Sequence, residues 1–261
     1  MISSAQNPKI KWVRLLQADP QARREAGLFV VEGVRLAEEA LATGLPVRLV
    51  LHTQDLNPRG QAVVEGFTRR GTSVEAVTEP VMRHASDTQT PQGVLVVLDK
   101  LSLPLPLTPT LVLIADGIRD PGNLGSMLRS AAAAGADAVI LPPGGVDAYA
   151  PKVVRAAMGA HFRLPLATLP WDEIASYVKR CGLNTYLADS SAGKSYTQCD
   201  LRAGSAIIVG GEAEGAGEAA RLLAGERLHI PMAGGVESLN AAAATAVLLF
   251  EVNRQRSQFG L

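Results

Sequence analysis

Short apolar runs rich in β-branched residues recur along this 261-residue chain, and stretches with the periodicity of amphipathic helices separate them. Clear runs are VRLVLH (47–52), LVLIAD (111–116), AVIL (138–141) and AIIVGG (206–211). Strands that alternate with helices typically pair in parallel, with helices covering both faces of the sheet. The pattern therefore predicts an α/β fold built from βαβ units. Further strands are predicted at 28–33, 73–77, 93–99, 184–189 and 228–231. One helix with a basic outer face is predicted within 1–24, and further helices at 34–43, 60–70, 122–135, 150–160, 171–180 and 239–256.

A proline-rich stretch, LSLPLPLTPT (101–110), interrupts this alternation. Proline lacks the N–H group that a helix interior or a central strand requires. We therefore expect an extended linker at 101–110 between two α/β domains, residues 1–100 and residues 111–261. Its leucines favour a stiff connection that packs on a neighbouring surface.

Composition and charge exclude several classes of protein. The 25 Lys and Arg residues balance the 25 Asp and Glu residues, which excludes a protein that coats nucleic acid by bulk positive charge. No apolar stretch approaches the roughly 18–20 residues of a membrane span. The N-terminal segment MISSAQNPKIKW lacks the apolar run of a signal peptide, so we expect a cytoplasmic protein. The two cysteines, Cys181 and Cys199, are too few for a disulfide framework or a four-thiolate zinc site.

Two glycine-containing segments resemble nucleotide-binding loops only superficially. ADSSAGKS (188–195) fits a relaxed P-loop pattern, but the YTQCDL that follows is a poor helix sequence. In GGEAEGAGEAA (210–220) the spacing suits a dinucleotide loop, yet Glu212 and Glu214 would repel a pyrophosphate. A P-loop or dinucleotide enzyme is therefore disfavoured. The second loop instead suits a ligand that is cationic or carries hydroxyl groups, and the pair Gly210-Gly211 allows close backbone approach.

Two more segments place polar side chains at predicted helix starts. In DGIRDPGNLGSMLRSAAAAG (116–135), Pro121 marks the first turn, Asn123 lies in the cap region and Arg129 follows on the helix. In the segment from 229 to 256, Ser238 is expected to cap a helix whose first turn holds Asn240. Each segment taken alone is explained by ordinary helix capping.

Taken together and in order, three strings resemble the signature set of the SpoU (TrmH-type) RNA ribose 2′-O-methyltransferases of the SPOUT superfamily. They are DPGNLGSMLRSAAAAG, IIVGGEAEG and IPMAGGVESLNAAAATAVLLFEVNRQR. The N-terminal strings SSAQNPKIKWVRLL and FVVEGVRLAEEAL resemble the ribosomal-protein-like RNA-binding domain of many of these enzymes. The resemblance implies an N-terminal α/β sandwich that binds RNA. It also implies a C-terminal α/β-knot methyltransferase domain with a mostly parallel sheet and a deep trefoil knot.

The resemblance further implies S-adenosyl-L-methionine as the cofactor, no metal, and a homodimer whose active site lies near the subunit interface. The cofactor loops correspond to 187–190, 210–215 and 230–239. The implied cofactor-binding residues are Leu187, Gly210, Gly211, Ile230, Met232 and Leu239. The implied catalytic residues are Asn123, Arg129, Glu212, Ser238 and Asn240. Gly211 departs from the family pattern, which often has asparagine at this position.

The expected substrate is structured RNA, with ribosomal RNA favoured over transfer RNA because a separate RNA-binding domain is present. The cations expected to contact RNA are Lys9, Lys11, Arg14, Arg23 and Arg24. The first 24 residues contain only one acidic residue, so this segment has a net positive charge. Three further functions stay open: a tRNA 2′-O-methyltransferase, an antibiotic-resistance rRNA methylase, and a non-catalytic RNA-binding or ribosome assembly factor. Arginine is effectively always protonated, so we expect Arg129 to orient the RNA phosphate rather than act as the general base.

Overall fold

The computed structural model describes residues 1–101, 103–212 and 214–257. Residue 102 of the predicted linker and residue 213 of the second predicted cofactor loop lie outside these ranges. The chain divides into two compact units, one formed by Met1–Leu101 together with Asp147–Phe162 and the other by the rest of the chain. A segment from the middle of the sequence therefore belongs to the N-terminal unit.

The helices and strands follow the predicted alternation. The α-helices are α1 (Pro8–Ala18), α2 (Pro20–Ala26), α3 (Val34–Thr43), α4 (Pro58–Arg69), α5 (Glu79–Ala85), α6 (Pro121–Ala133), α7 (Pro151–Ala157), α8 (Trp171–Arg180), α9 (Glu218–Leu223) and α10 (Ala241–Ser257). The strands are β1 (Leu28–Glu32), β2 (Val47–His52), β3 (Val74–Ala76), β4 (Val94–Asp99), β5 (Leu111–Asp116), β6 (Ala138–Leu141), β7 (Leu166–Thr168), β8 (Asn184–Ala188), β9 (Ser205–Gly210) and β10 (Glu226–Leu228).

The sheet of the N-terminal unit is mixed, with the strand order β1-β4-β2-β3. Strand β4 is antiparallel to β1 and β2, and only β2 and β3 pair in parallel. The predicted βαβ arrangement is present in β2, α4 and β3, whereas β4 departs from it by pairing antiparallel with β1 and β2. Strand β4 is an uninterrupted apolar run, which is compatible with either direction, so its sequence does not determine how it pairs. Apolar side chains of helices cover both faces of the sheet.

The basic N-terminal segment forms two helices because Asp19 separates them. Asp19 ends α1, and its side chain accepts a hydrogen bond from the Gln21 N–H at the start of α2, where Pro20 occupies the first position. In α2, Arg23 points into the unit and is only 2% exposed. Its Nε donates to Asp147 Oδ2 at 2.8 Å. Its Nη1 donates to the carbonyls of Leu16 and Gln17 at 2.7 and 2.9 Å.

This burial corrects one expectation. Arg23 was expected to contact RNA, but its donors are directed at Asp147 and at the end of α1, so it offers no surface to an external phosphate. The exposed neighbour Arg24 and the exposed Lys11 remain on the surface of the unit, and Lys9 forms an ion pair with Glu75. Arg14 is half-buried and donates to the Ser86 carbonyl at 3.2 Å.

An aromatic cluster completes the core of the N-terminal unit. Phe29 of β1 contacts Tyr149, His161 and Phe162, with ring centroids 5.1, 6.1 and 6.3 Å apart. His161 Nε2 is hydrogen-bonded to the Ala148 carbonyl at 2.6 Å. Burial lowers the pKa of His161 to about 4. The ring is therefore neutral at pH 7 and behaves as a core side chain.

The second unit contains a six-stranded sheet in which all the pairings are parallel, in the order β10-β8-β9-β5-β6-β7. The predicted α/β fold with a mostly parallel sheet is confirmed here. Strand β5 is buried along all six residues and pairs on both sides. The carboxyl ends of β5, β8, β9 and β10 lie at one edge, as expected for parallel strands. The trefoil knot stays a prediction from the family resemblance.

Three elements were not expected from the sequence: α5, α9 and β7. The two helices have seven and six residues and β7 has three, so each is too short to show a clear periodicity. The proline-rich stretch forms no helix or strand over its described residues. It packs within the second unit, where the Tyr177 hydroxyl donates to the Pro106 carbonyl at 2.9 Å. Among the described helices, none combines the length and apolar character needed to cross a membrane.

The buried His161 predicts a pH-dependent stability of the N-terminal unit. The unfolded residue takes up a proton near pH 6.5, whereas the folded residue resists protonation down to about pH 4. The unfolded state then binds more protons between these values, so stability falls as the pH drops from about 6.5 towards 4. Urea unfolding of a Trp171→Phe background, followed through Trp12, measures it. His161→Phe should make the free energy of unfolding less dependent on pH between about 4 and 6.5. His84→Gln, at an exposed position, should leave this dependence unchanged. Equal slopes in all three proteins would contradict the assignment.

Candidate functional site

A cavity of about 380 Å³ lies at the edge of the parallel sheet where β8, β9 and β10 end. Its walls are formed by residues 187–190, by residues 209–212 and 214–216, by Arg221, and by residues between 228 and 244. All six residues predicted to bind the cofactor line it: Leu187, Gly210, Gly211, Ile230, Met232 and Leu239. The fold thus brings into one cavity residues that are up to 52 positions apart between Leu187 and Leu239.

The turn that follows β9 is tight, and glycine permits it. A Cβ atom on Gly210 would lie 2.2 Å from the backbone nitrogen of Ala216, and one on Gly211 would lie 2.6 Å from the Gly117 carbonyl oxygen. The Gly215 N–H donates back to the Gly211 carbonyl at 3.0 Å. The asparagine that is common in the family at position 211 would therefore collide with the backbone that follows β5.

A chain of side-chain amides and a carboxylate connects the three predicted motifs. Asn240 Nδ2 donates to Asn123 Oδ1 at 2.9 Å, and Asn123 Nδ2 donates to Glu212 Oε1. These residues stand before α10, on the first turn of α6 and after β9. Three of the five predicted catalytic residues are thus directly linked at the same edge of the sheet as the cavity.

Two capping assignments differ from the expectation. Helix α6 is capped by Asp120, whose Oδ1 accepts from the Asn123 N–H at 2.8 Å, so Asn123 keeps its side chain free for the cluster. Helix α10 begins at Ala241 and is capped by Asn240, whose Oδ1 accepts from the N–H of Ala242 at 2.9 Å. Ser238 lies before the helix, so it cannot cap it. Ser238 instead lines the cavity.

Arg129 lies on α6, about one and a half turns after Asn123. Its side chain is exposed and makes no hydrogen bond or ion pair with any other described residue. The structure therefore does not connect Arg129 to the amide and carboxylate cluster. A guanidinium in this state has all five donors available for an external anion.

The cavity is predominantly acidic. Among its described lining residues, Asp189, Glu212, Glu214 and Glu237 carry carboxylates, and Arg221 is the only lysine or arginine. The Ser191 hydroxyl, which donates to Asp189 Oδ1 at 2.7 Å, is the main cause that holds the Asp189 pKa below its usual range.

Apolar surface from Leu187, Val209, Leu228 and Ile230 lies beside these charges. Such a lining suits a ligand that combines a flat apolar group with positive charge, and it disfavours a diphosphate. S-adenosylmethionine has a heterocycle, a sulfonium and an ammonium group, and the residues present fit it. Among the described residues, no group of three or more His, Cys, Asp or Glu side chains is placed to hold a metal ion.

Arg221 and His229 line the cavity but lie outside the predicted cofactor loops, and Asp189 lies in the predicted loop 187–190 without having been singled out. Asp189 lies in the segment that was weighed as a P-loop, and the structure shows why that pattern fails. Lys194 forms an ion pair with Glu226 at 2.5 Å, and only a short 3₁₀ helix, Tyr196–Gln198, follows. His229 Nδ1 is buried without a hydrogen-bond partner among the described residues. No local pattern marks Arg221, because its position depends on how α9 packs.

The close approach at Gly211 predicts a strong effect of a single methyl group. Gly211→Ala would place its Cβ against the Gly117 carbonyl, and we expect a loss of about 1–3 kcal/mol in the free energy of unfolding. Urea unfolding followed through Trp171 in a Trp12→Phe background measures it. Gly193→Ala is the matched control, because no atom lies within 4 Å of its added Cβ. If both variants unfold at the same urea concentration, the backbones are not in close contact.

Comparisons with known proteins bear directly on this site. Residues 110–250 match the model of the SpoU rRNA Methylase family, and residues 7–96 match that of the MRM3-like substrate binding domain. The chain is similar to rRNA methyltransferase 3A, mitochondrial, of Danio rerio, with 34% identity over 89% of the chain and 65% of that protein. It therefore spans about two thirds of the length of this relative.

Two further similarities cover nearly the whole chain. The 23S rRNA (guanosine(2553)-2′-O)-methyltransferase RlmP of Bacillus subtilis is 32% identical over 96% of the chain and 98% of that protein. The crystal structure of an AdoMet-bound rRNA methyltransferase from Sinorhizobium meliloti superposes with a TM-score of 0.86 and 29% identity, covering 97% of each chain. With more than half of its residues matching the family model and its N-terminal part matching the associated substrate-binding domain, the chain belongs to the SpoU rRNA methylase family.

Proposed function

We propose that this protein is an S-adenosylmethionine-dependent ribose 2′-O-methyltransferase that acts on ribosomal RNA. The observation that carries the proposal is the Asn240–Asn123–Glu212 cluster, which unites three separate motifs at the sheet edge that holds the acidic cavity. The names of the three similar proteins support it, because all three are rRNA methyltransferases and the Bacillus subtilis protein is a 2′-O-methyltransferase.

The cavity residues would hold the cofactor. The side chains of Leu187 and Ile230 would provide apolar surface for the adenine ring. Gly210 and Gly211 would provide backbone N–H and carbonyl groups for hydrogen bonds to the cofactor. The carboxylates of Asp189 and Glu237 favour the positive charges of the ligand. When bound, S-adenosylmethionine supplies a sulfonium methyl group that an oxygen nucleophile takes by in-line displacement, leaving the carbon–sulfur electron pair on sulfur.

The roles of the protein groups are then mainly positional, because in-line displacement requires the ribose oxygen and the methyl carbon to be aligned. Arg129 would bind the phosphate next to the target ribose through two parallel N–H groups. The cluster of Asn240, Asn123 and Glu212 would fix the loops that carry the donor, with Ser238 in the wall of the cavity. Since arginine stays protonated, the proton of the 2′-hydroxyl would pass to water.

The proposal includes the division of labour between the two parts of the sequence. Residues 1–100 would bind RNA and residues 111–261 would bind the cofactor and carry out the transfer, joined by 101–110. Exposed apolar side chains at Val236, Leu239 and Phe250 support a homodimer, because one chain leaves them uncovered. A location in the cytoplasm is part of the proposal, and the similarity to the Bacillus subtilis enzyme over nearly the whole chain supports it.

Arg129 provides a direct test of the mechanism. We expect Arg129→Ala to reduce methyl transfer by roughly a hundredfold, because a small misplacement of the reacting ribose oxygen can cost this much in rate. Arg129→Lys should recover only part of this, because lysine keeps the charge but loses the planar fork. Transfer of labelled methyl from S-adenosylmethionine into total ribosomal RNA gives the rates, and calorimetry with S-adenosylhomocysteine should show unchanged cofactor affinity. Arg180→Lys, an exposed arginine on α8, is the control.

Full activity of Arg129→Lys would eliminate the orienting role. Absence of label in any RNA, despite tight binding of S-adenosylhomocysteine, would instead favour a non-catalytic RNA-binding or assembly factor. Label in transfer RNA would favour a tRNA 2′-O-methyltransferase, and resistance to a ribosome-targeting drug as the only effect would favour a resistance methylase. Mapping the labelled nucleotide identifies the substrate directly.

The distribution of charge predicts a modest salt dependence of RNA binding. With Arg23 buried, the predicted phosphate contacts are Lys9, Lys11, Arg14 and Arg24 of the N-terminal unit and Arg129 of α6. The slope of log K against log salt should therefore be about −4 or weaker. Lys11→Ala and Arg24→Ala should each reduce its magnitude by about 1. Filter binding of a ribosomal RNA fragment at several salt concentrations measures the slope. Arg69→Ala on α4 should leave it unchanged, and a wild-type slope of about −8 would contradict a few-contact interface.

A further inference from the structure

Arg221 is the single arginine or lysine among the described residues that line the acidic cavity. It lies on the short helix α9, outside the three family motifs. Its side chain lines the cavity and is 45% exposed, so it is accessible to a ligand there. A single cation among four carboxylates calls for an explanation beyond general charge balance.

Two contacts hold the guanidinium in place. Its Nε donates to the Ala216 carbonyl at 3.1 Å, and its Nη1 donates to Asp189 Oδ2 at 3.1 Å. The side chain thereby bridges the loop after β9 and the loop after β8. Its Nη2 lies against Gly215, where an added Cβ would be 3.7 Å away.

These contacts use two of the five N–H groups of a guanidinium. No other described residue accepts from the remaining three. Asp189 does not depend on Arg221 alone, because its Oδ1 accepts from the N–H and the hydroxyl of Ser191 at 3.0 and 2.7 Å. Arg227 Nη1 also lies 3.7 Å from Asp189 Oδ2. Arg221 therefore retains donor capacity that the described residues do not use.

Resting on the proposed function, we propose that Arg221 binds the carboxylate of the amino-acid end of the cofactor and that Asp189 positions it. The carboxylate is the only anionic group of S-adenosylmethionine, and a planar guanidinium matches a carboxylate better than any other side chain does. The four carboxylates of the cavity would repel this group, so a prepositioned arginine is needed to accommodate it.

Calorimetric titration of the full chain with two ligands tests the proposal. One ligand is S-adenosylhomocysteine, and the other is its decarboxylated analogue, which keeps the adenosine, the thioether and the amine. We expect Arg221→Gln to weaken the binding of S-adenosylhomocysteine by at least about tenfold, the usual effect of losing a charged hydrogen bond. Binding of the decarboxylated analogue should change by less than twofold. Arg221→Lys should lie between Arg221→Gln and the wild type for S-adenosylhomocysteine.

Arg227→Gln is the matched control, because Arg227 faces the same carboxylate oxygen but does not line the cavity. It should leave the affinity for both ligands within twofold. If Arg221→Gln weakens both ligands equally, or neither, Arg221 does not bind the carboxylate. If the Gln variant fails to fold, equal affinity of Arg221→Lys and wild type for S-adenosylhomocysteine would overturn the proposal in its place. If the wild-type protein binds neither ligand, the proposed function itself is overturned.

Discussion

The parallel pairing of β5 with β9 is the interaction on which the site depends. It aligns Asp116 with Gly210, so the last residues of the two strands are neighbours. The loops that follow then share one edge of the sheet, and Asp116 Oδ2 accepts from the Gly217 N–H at 2.7 Å. A slip of one residue in this register would turn the buried side chains of β5 to the opposite face. Because both strands are buried along nearly their whole length, the register is strongly fixed.

This register also places the loop after β9 against the loop after β5, and the close contact between them positions the side chains of the cluster. Gly211 lets the loop after β9 pass directly over the Gly117 carbonyl, and this brings Glu212 to Asn123 at the start of α6. Asn240 uses both ends of its amide, with the oxygen capping α10 and the nitrogen reaching Asn123. The residue that caps α10 thus also connects two motifs. An asparagine can do both because its amide has an acceptor and a donor at the same end of the side chain.

The balanced charge of the chain conceals two different local environments. In the N-terminal unit the cations of α1 and α2 separate into a buried one, Arg23, and surface ones such as Arg24. In the second unit the carboxylates collect around a cavity whose described lining contains one arginine. Summed charge hides both arrangements, because it carries no information on which side chains are buried and which face each other. Both environments are suited to binding a ligand through its shape and a few charged contacts, and less suited to attraction by the net charge of the protein.

Much of the fold and part of the site could be predicted from the sequence. The α/β class, the parallel sheet and the family came from strand periodicity and from motif strings, which are local properties. The grouping of Leu187, Gly210, Ile230 and Leu239 in one cavity came only through resemblance, since no residue pattern relates such distant positions. The direction of β4 and the short helix α9 could not be obtained, because continuous apolar runs and six-residue helices carry too little periodic signal.

The sequence by itself determined most of the segments that form strands and helices, where glycine is required and which motif family the chain shares. Only the tertiary structure decided that Arg23 is buried, that Asn240 rather than Ser238 caps α10, and that Arg221 reaches the cavity. The physical reason is the same in each case. Burial, capping and donor availability depend on which groups approach from distant parts of the chain, whereas local patterns record only a residue's neighbours in sequence.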